Sequence, residues 1–136
     1  MNIRLIIISI GLLFSCSNEV VTLEVPNTDP DNGGLLLPEG FGALVVADSV
    51  GPARHLAVNS NGDIYIKLRI DTGDKGNMAL RDTNGDGKAD IYQRFGDYPN
   101  DGRFATEMKI HNGYLYYSSE LVVYRQKLDK GNLIPK

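Results

Sequence analysis

Tryptophan is missing from this chain of 136 residues, cysteine occurs once and histidine twice. A single cysteine excludes an internal disulfide, and His55 and His111 stand too far apart in sequence to form a local zinc motif. Neither sign of charge dominates: 14 Lys and Arg face 17 Asp and Glu, for a net charge of −3. That balance argues against nucleic acid, or an anionic membrane surface, as the main partner. No apolar run reaches the roughly 20 residues that span a bilayer. From Pro38 onward, no window keeps apolar residues at helical spacing for more than about two turns. What is present is a 42% hydrophobic share, enough for a core, and 15 glycines, which imply many turns. The length allows one domain at most.

The cysteine stands in an informative place. MNIRLIIISIGLLFSC puts Arg4 ahead of an apolar run over 5–14, followed by Ser15 and Cys16. A basic start, a short apolar stretch and a small residue at its end describe a secretory signal over 1–15. The ending Leu13-Phe14-Ser15-Cys16 resembles a bacterial lipobox, with Phe14 bulkier than usual there. On this reading the signal is cut before Cys16, whose thiol carries lipid. Residues 16–37, rich in Asn, Asp, Gly and Pro, then form a tether. The protein is expected in the bacterial cell envelope, periplasmic or extracellular, reaching the membrane through its lipid anchor. The other reading is an ordinary signal peptide followed by a free thiol.

Short β-type runs fill the remainder: 43–47, 54–58, 64–68, 78–81, 91–95, 108–111, 114–117 and 121–124, separated by Asn-Gly, Asp-Gly and Gly-Asp signals. Two stretches are alike. RHLAVNSNGDIYIKL and TEMKIHNGYLYYSSE overlay so that Asn61-Gly62 falls on Asn112-Gly113 and Tyr65 on Tyr116, an offset of 51 residues. Each copy reads as a hairpin. Asn112-Gly113 is expected to make a two-residue type I′ turn, with positive φ at both positions, and the first copy carries one extra turn residue. Beyond the hairpins, Met78-Ala79-Leu80-Arg81 matches Val122-Val123-Tyr124-Arg125. A repeat near fifty residues made of about four strands is the period of a β-propeller blade. The expected fold is therefore all-β: over 38–136, about one and a half to two blades of a propeller. The second blade stops at Leu133-Ile134-Pro135-Lys136, about where its last strand should begin. On this reading the chain is the N-terminal piece of a longer protein.

DTNGDGKAD, residues 82–90, has the spacing of a calcium loop. Asp82, Asn84 and Asp86 offer side-chain oxygens at loop positions one, three and five, and Gly87 allows the sharp turn. Lys88 offers its backbone carbonyl, and Asp90 stands at position nine. Position twelve holds Gln93 where an EF-hand has a bidentate Glu. The flanking segments read as strands, not helices, so this is not a sensor EF-hand. Two readings stay open: a weak or structural calcium site, and a metal-free Asx-turn connector of the kind Asp, Asn and Gly favour.

LPEGFGALVVADSVGPARHLAVNSNGDIYIKL, followed by MALRDTNGDGKADIYQRFGD and IHNGYLYYSSELVVYR, resembles the start of the sorbosone and glucose dehydrogenase group. Those are secreted six-bladed propellers that use pyrroloquinoline quinone (PQQ). The resemblance spans about 37–136 and implies a parent enzyme that oxidises a sugar or aldehyde. In that family a His takes the substrate hydroxyl proton and hydride passes to the quinone's C5. Arg, Lys and Asn from several blades grip the quinone, and calcium ligates it. The family's catalytic His is expected beyond Lys136, so no residue here is assigned as base or as quinone ligand. His55 reads as a packed or solvent-facing strand residue and His111 as an exposed turn neighbour, while Arg54 reads as a surface ion-pair partner or, alternatively, as lining the propeller channel. Residues 97–106 depart from the glycine-rich stretch usual in the family. The resemblance implies a fragment that is itself inactive. The alternative is a non-catalytic, lipid-anchored propeller that binds a glycan or a protein.

Overall fold

The computed structural model describes residues 27–69, 75–96, 107–119 and 121–136. The described residues are all-β apart from a single 3-10 turn at Asn32–Gly34. A first antiparallel sheet runs β1 (Ala53–Val58), β2 (Ile64–Leu68), β3 (Asn77–Arg81) and β4 (Ile91–Phe95), in sequence order. A second holds β5 (Met108–His111), β6 (Tyr114–Ser118) and β7 (Val123–Lys127), also in order. Alternation and β-branched or aromatic residues select strands here, and the turn residues between them select hairpins.

The hairpins form as the turn chemistry dictates. His111 pairs with Tyr114, so Asn112-Gly113 is a two-residue turn, with φ of 47° and 76°. Positive φ at both positions matches the right-handed strand twist, and Asn and Gly reach it at low cost. In the first sheet the amide of Asn59 donates to the carbonyl of Asp63 at 2.8 Å, enclosing Ser60, Asn61 and Gly62, with φ 91° at Gly62. That is the one extra residue expected from the repeat.

Two expected runs come out differently. Residues 43–47 are not a strand. The Ala43 amide donates to Asn32 Oδ1 and the Val45 amide to Asp29 Oδ2, while the carbonyls of Ala43 and Val46 accept from the amides of Asp29 and Ala89. Side chains and a loop take the groups a strand partner would use, so this extended segment lies along the first sheet without joining it. The run expected at 121–124 begins instead at Val123 and continues to Lys127. Ser119 delays it, donating its amide to the Val122 carbonyl and accepting the Val122 amide on its hydroxyl.

The overlay of third strands also shifts. Met78 pairs with Ile66, and Tyr124 with Tyr117, the residue 51 positions after Ile66. Met78 therefore corresponds to Tyr124, and Arg81 to Lys127, two residues later than the sequence match places them. A slip of two keeps every side chain on its face, so apolar pattern alone does not detect it.

The sheets pack face to face. Tyr65, Ala79 and Phe95 of the first meet Met108, Leu115 and Tyr117 of the second, joined by Leu133. The Phe95 ring stands edge-on to Tyr65 (6.0 Å) and to Tyr117 (6.3 Å), and Tyr117 stacks on Tyr124 (5.2 Å). Each buried side chain of this size stabilises the fold by about 2 kcal/mol, and each well-placed aromatic pair by about 1 more. Small Ala57 and Ile110 pack at the β1–β5 side, whereas large rings and the 133–134 segment fill the other. On the far face of the first sheet, Ile66, Leu68, Met78 and Leu80 are buried under Ala47, Val50 and Ala89.

Candidate functional site

The antiparallel order brings three turns to one end of the stacked sheets: 59–63 between β1 and β2, 82–90 between β3 and β4, and 112–113 between β5 and β6. The 128–132 turn that follows β7 joins them. A groove of about 490 Å³ opens there, lined among others by Asn59, Asn61, Asp129, Lys130 and Asn132.

An ion pair ties this end together. Arg81 donates from Nε to Asp63 Oδ1 at 2.6 Å and from Nη2 to Oδ2 at 2.7 Å, a bidentate fork. Asn61 donates to the same carboxylate at 2.8 Å. Burial works against the Asp63 charge, but the Arg81 and Asn61 hydrogen bonds prevail and hold its pKa below the ordinary 3.8. The third Arg81 nitrogen donates to the Gly131 carbonyl at 3.3 Å. Beside it, the Tyr65 hydroxyl donates to the Leu133 carbonyl at 3.0 Å. Burial, and then the Asp63 charge, push Tyr65 up to about 12.

The 82–90 loop is built around Asp82. Its Oδ1 accepts the amides of Gly85 (2.7 Å) and Asn84 (3.1 Å), and its Oδ2 that of Gly87 (2.8 Å). The Gly85 amide first and the Gly87 amide next hold Asp82 below the usual carboxylate value. Gly85 and Gly87 take φ of 80° and 85°, conformations that would strain any residue with a Cβ. Asn84 Oδ1 accepts the Asp86 amide at 2.9 Å, and Asp86 Oδ1 the Lys88 amide at 2.7 Å. Asp90 accepts both the amide and the hydroxyl of Thr83. The Lys88 ammonium reaches out of the loop to Asp29 at 2.7 Å, which lowers the Asp29 pKa and raises that of Lys88.

The hard-oxygen donors of Asp82, Asn84, Asp86 and Asp90 thus share one short loop, a set that suits calcium over softer metals. Each also accepts a hydrogen bond from the loop itself, as in an Asx-turn connector. Among the described residues, no group of three or more His, Cys, Asp or Glu side chains converges on one point. Gln93 lies in β4, paired with Ala79, outside the loop.

The histidines do not come together. His55 is half-buried in β1, opposite Lys67, and His111 is exposed at the end of β5. Arg54 is exposed on β1. Cys16 and residues 97–106 lie outside the described residues. Sequence reading missed the Asp63–Arg81 pair. Its only trace in the sequence is the register that pairs Ile64 with Leu80 and so sets their neighbours together.

No family model, curated protein or solved structure matches this chain.

Proposed function

We propose that the chain is the N-terminal part of a lipid-anchored envelope protein of the PQQ-dependent sugar or aldehyde dehydrogenase kind, with its two sheets as the first blades of a six-bladed propeller. The observation that carries the reading is how the sheets stack. The first uses the Tyr65 face and the second the Leu115 face. At the offset of 51, Leu115 corresponds to Ile64, on the opposite face of β2 from Tyr65. Like units joined through unlike faces make a repeating array, not a closed two-sheet sandwich.

A second feature agrees. Lys127 and Lys136 exchange both backbone hydrogen bonds, at 2.6 and 2.9 Å. Lys127 corresponds to Arg81, which pairs with Ile91 at the start of β4. Lys136 thus stands where a fourth strand of the second sheet would begin.

In this reading the 82–90 loop is a brace between two strands of the first blade, with calcium as its ligand. PQQ bound in the longer protein would supply the hydride acceptor. No residue of this chain is assigned to grip it or to act as base. The chain as it stands is inactive: two blades leave most of a quinone pocket unbuilt. The groove lined by Asn59, Asn61, Asp129 and Asn132 favours a second reading, a non-catalytic propeller that holds a glycan through amide and carboxylate groups.

The test is a dye-linked assay with calcium, PQQ and a panel of aldoses and aldehydes. It is run on the chain and on the product of its locus extended past Lys136. Turnover by the extended product alone supports the enzyme. Turnover by neither, with glycan retained on the extended product, supports the binder. Turnover by the chain itself overturns the assignment and makes His55 and His111 the first candidates for the base.

A further inference from the structure

Asn-Gly occurs four times in the chain, at Asn32, Asn61, Asn84 and Asn112. Asn-Gly is the step most prone to lose its side-chain amide, because glycine has no side chain to shield its backbone nitrogen. Once that nitrogen gives up its proton, it attacks the carbonyl carbon of the Asn side chain. The four steps are alike in sequence chemistry, and the fold makes them unlike.

Three of the four are clamped at both reacting groups. The Gly33 amide donates to Asp31 Oδ1 at 3.1 Å, that of Gly62 to the Asn59 carbonyl at 2.9 Å, and that of Gly85 to Asp82 Oδ1 at 2.7 Å. Each bond holds the proton that the nitrogen must lose and fixes the direction in which it faces. The side chains are tied as well. Asn32 Oδ1 accepts the Ala43 amide at 3.1 Å. Asn61 donates to Asp63 Oδ2 at 2.8 Å, and Asn84 Oδ1 accepts the Asp86 amide at 2.9 Å.

Asn112-Gly113 differs. His111 and Tyr114 close the hairpin, and the two residues between them lie outside the ladder. Both are exposed. Among the described residues, neither the Gly113 amide nor the Asn112 side chain has a hydrogen-bond partner. At this step only the Gly113 carbonyl is held, by the Leu128 amide at 2.9 Å. Positive φ does not set the step apart, since Asn32 (53°) shares it with Asn112 (47°). A fourth strand starting at Lys136, opposite Lys127, would run back along β7 and away from this turn. A further sheet stacked on the second would cover its face, not the tip of this hairpin.

We propose that Asn112 is the site of spontaneous deamidation in the folded protein. The Gly113 nitrogen, deprotonated by solvent base, forms a bond to Asn112 Cγ. The Cγ–Nδ2 bond breaks, and Nδ2 takes up a proton and leaves as ammonia. The succinimide ring so formed adds water at either of its carbonyls, giving aspartate or isoaspartate at position 112. No oxidant or reductant is involved. Either product adds a negative charge. Isoaspartate also lengthens the main chain by a methylene, which a two-residue type I′ turn does not accommodate. Gly113 lines the groove at this end and holds the Leu128 amide, so the change reaches the groove. The modification depends on neither functional reading given above.

The full chain, in mild detergent, is aged in warm, mildly alkaline buffer and then digested with an acid protease. Mass spectrometry scores each Asn-Gly step for amide turned to acid. A parallel sample is aged in urea. In the folded chain the three clamped steps must open before they react, so Asn112 is expected to convert about tenfold faster than any of them. In urea the clamps are gone, and the four rates should converge. An isoaspartate-specific methyltransferase should label the aged, folded chain at position 112. Another step converting as fast as Asn112 in the folded chain, no conversion at Asn112, or a lead for Asn112 that persists unchanged in urea each overturns the proposal.

Discussion

Arg81, at the end of β3, grips both oxygens of Asp63, in the turn just before β2, and hands its remaining nitrogen to the carbonyl of Gly131. The arginine thus joins the first sheet to the turn that follows the second. Asp63 is 2% exposed at its side chain and Arg81 25%. Arg81→Met strands a buried carboxylate, and we expect a loss of about 3 kcal/mol, read by urea unfolding at neutral pH.

The same pair sets the acid limit of stability. A carboxylate whose folded pKa is depressed contributes stability above its unfolded pKa and loses it as pH falls through the folded value. Asp63 and Asp82 are both held below 3.8. The wild type should therefore keep its stability down to about that pH and lose it below. In Arg81→Met the arginine no longer holds the Asp63 charge against burial, so the acid loss due to Asp63 should shrink or reverse, leaving that of Asp82. Urea midpoints across a pH series check this. An acid profile identical in the two proteins would show that Asp63 does not carry the effect.

Tyr65 closes the same end from inside the core. Tyr65→Phe keeps the ring against Phe95 but leaves the Leu133 carbonyl without its donor, an expected cost of about 1 kcal/mol. The alkaline limb gives the sharper test. The Tyr65 pKa rises from 10.0 to about 12 on folding, so the folded state holds its proton more firmly. Stability from this group is full below 10 and drains away as pH climbs toward 12. Tyr65→Phe should flatten that limb, measured by the melting temperature against pH.

How much of this was legible in the sequence depends on how local the cause is. The Asn112-Gly113 turn is a two-residue signal, and it folds as its residues dictate. Strands β1 to β6 each lie within a residue or so of an apolar run bounded by turn residues. The departures arise where the cause lies outside the local apolar pattern. Residues 43–47 carry the composition of a strand, but Asp29, Asn32 and Ala89 take the backbone groups a neighbour would need. The third-strand overlay slips by two, because a period of two leaves the apolar pattern unchanged. The Asp63–Arg81 fork and the Tyr65–Leu133 bond join residues 18 and 68 positions apart, and no pattern within either segment announces its partner. The Asp-rich loop was legible as a calcium-type sequence. Its internal bonding, centred on Asp82, follows from glycine conformations that the spacing only permits.

Cys16 supplies a prediction about the start of the chain. The membrane fraction of cells making the protein should yield a diacylated Cys16 as the new N-terminus, by mass spectrometry. Cys16→Ala should abolish the lipid and leave the precursor uncut before that position. A soluble product cleaved at another bond is the result that would sink the lipoprotein reading.

The 82–90 loop separates two roles that sequence spacing alone confounds. Asp82 caps three amides of its own loop, so Asp82→Ala should lower the melting temperature even in chelator. Asp86 accepts one backbone amide, from Lys88, within the loop. Asp86→Ala should therefore weaken any calcium binding while disturbing the metal-free fold much less. Calorimetry on the wild type is expected to show modest affinity, since Gln93 stands where a bidentate acid would be and lies out in β4. Both substitutions should remove that binding. Calcium should raise the wild-type melting temperature, in proportion to its occupancy, and leave both variants unmoved. If Asp86→Ala behaves as the wild type with and without calcium, while Asp82→Ala melts lower in both, the loop is an Asx-turn connector held by its own amides. The calcium brace would then have to be withdrawn.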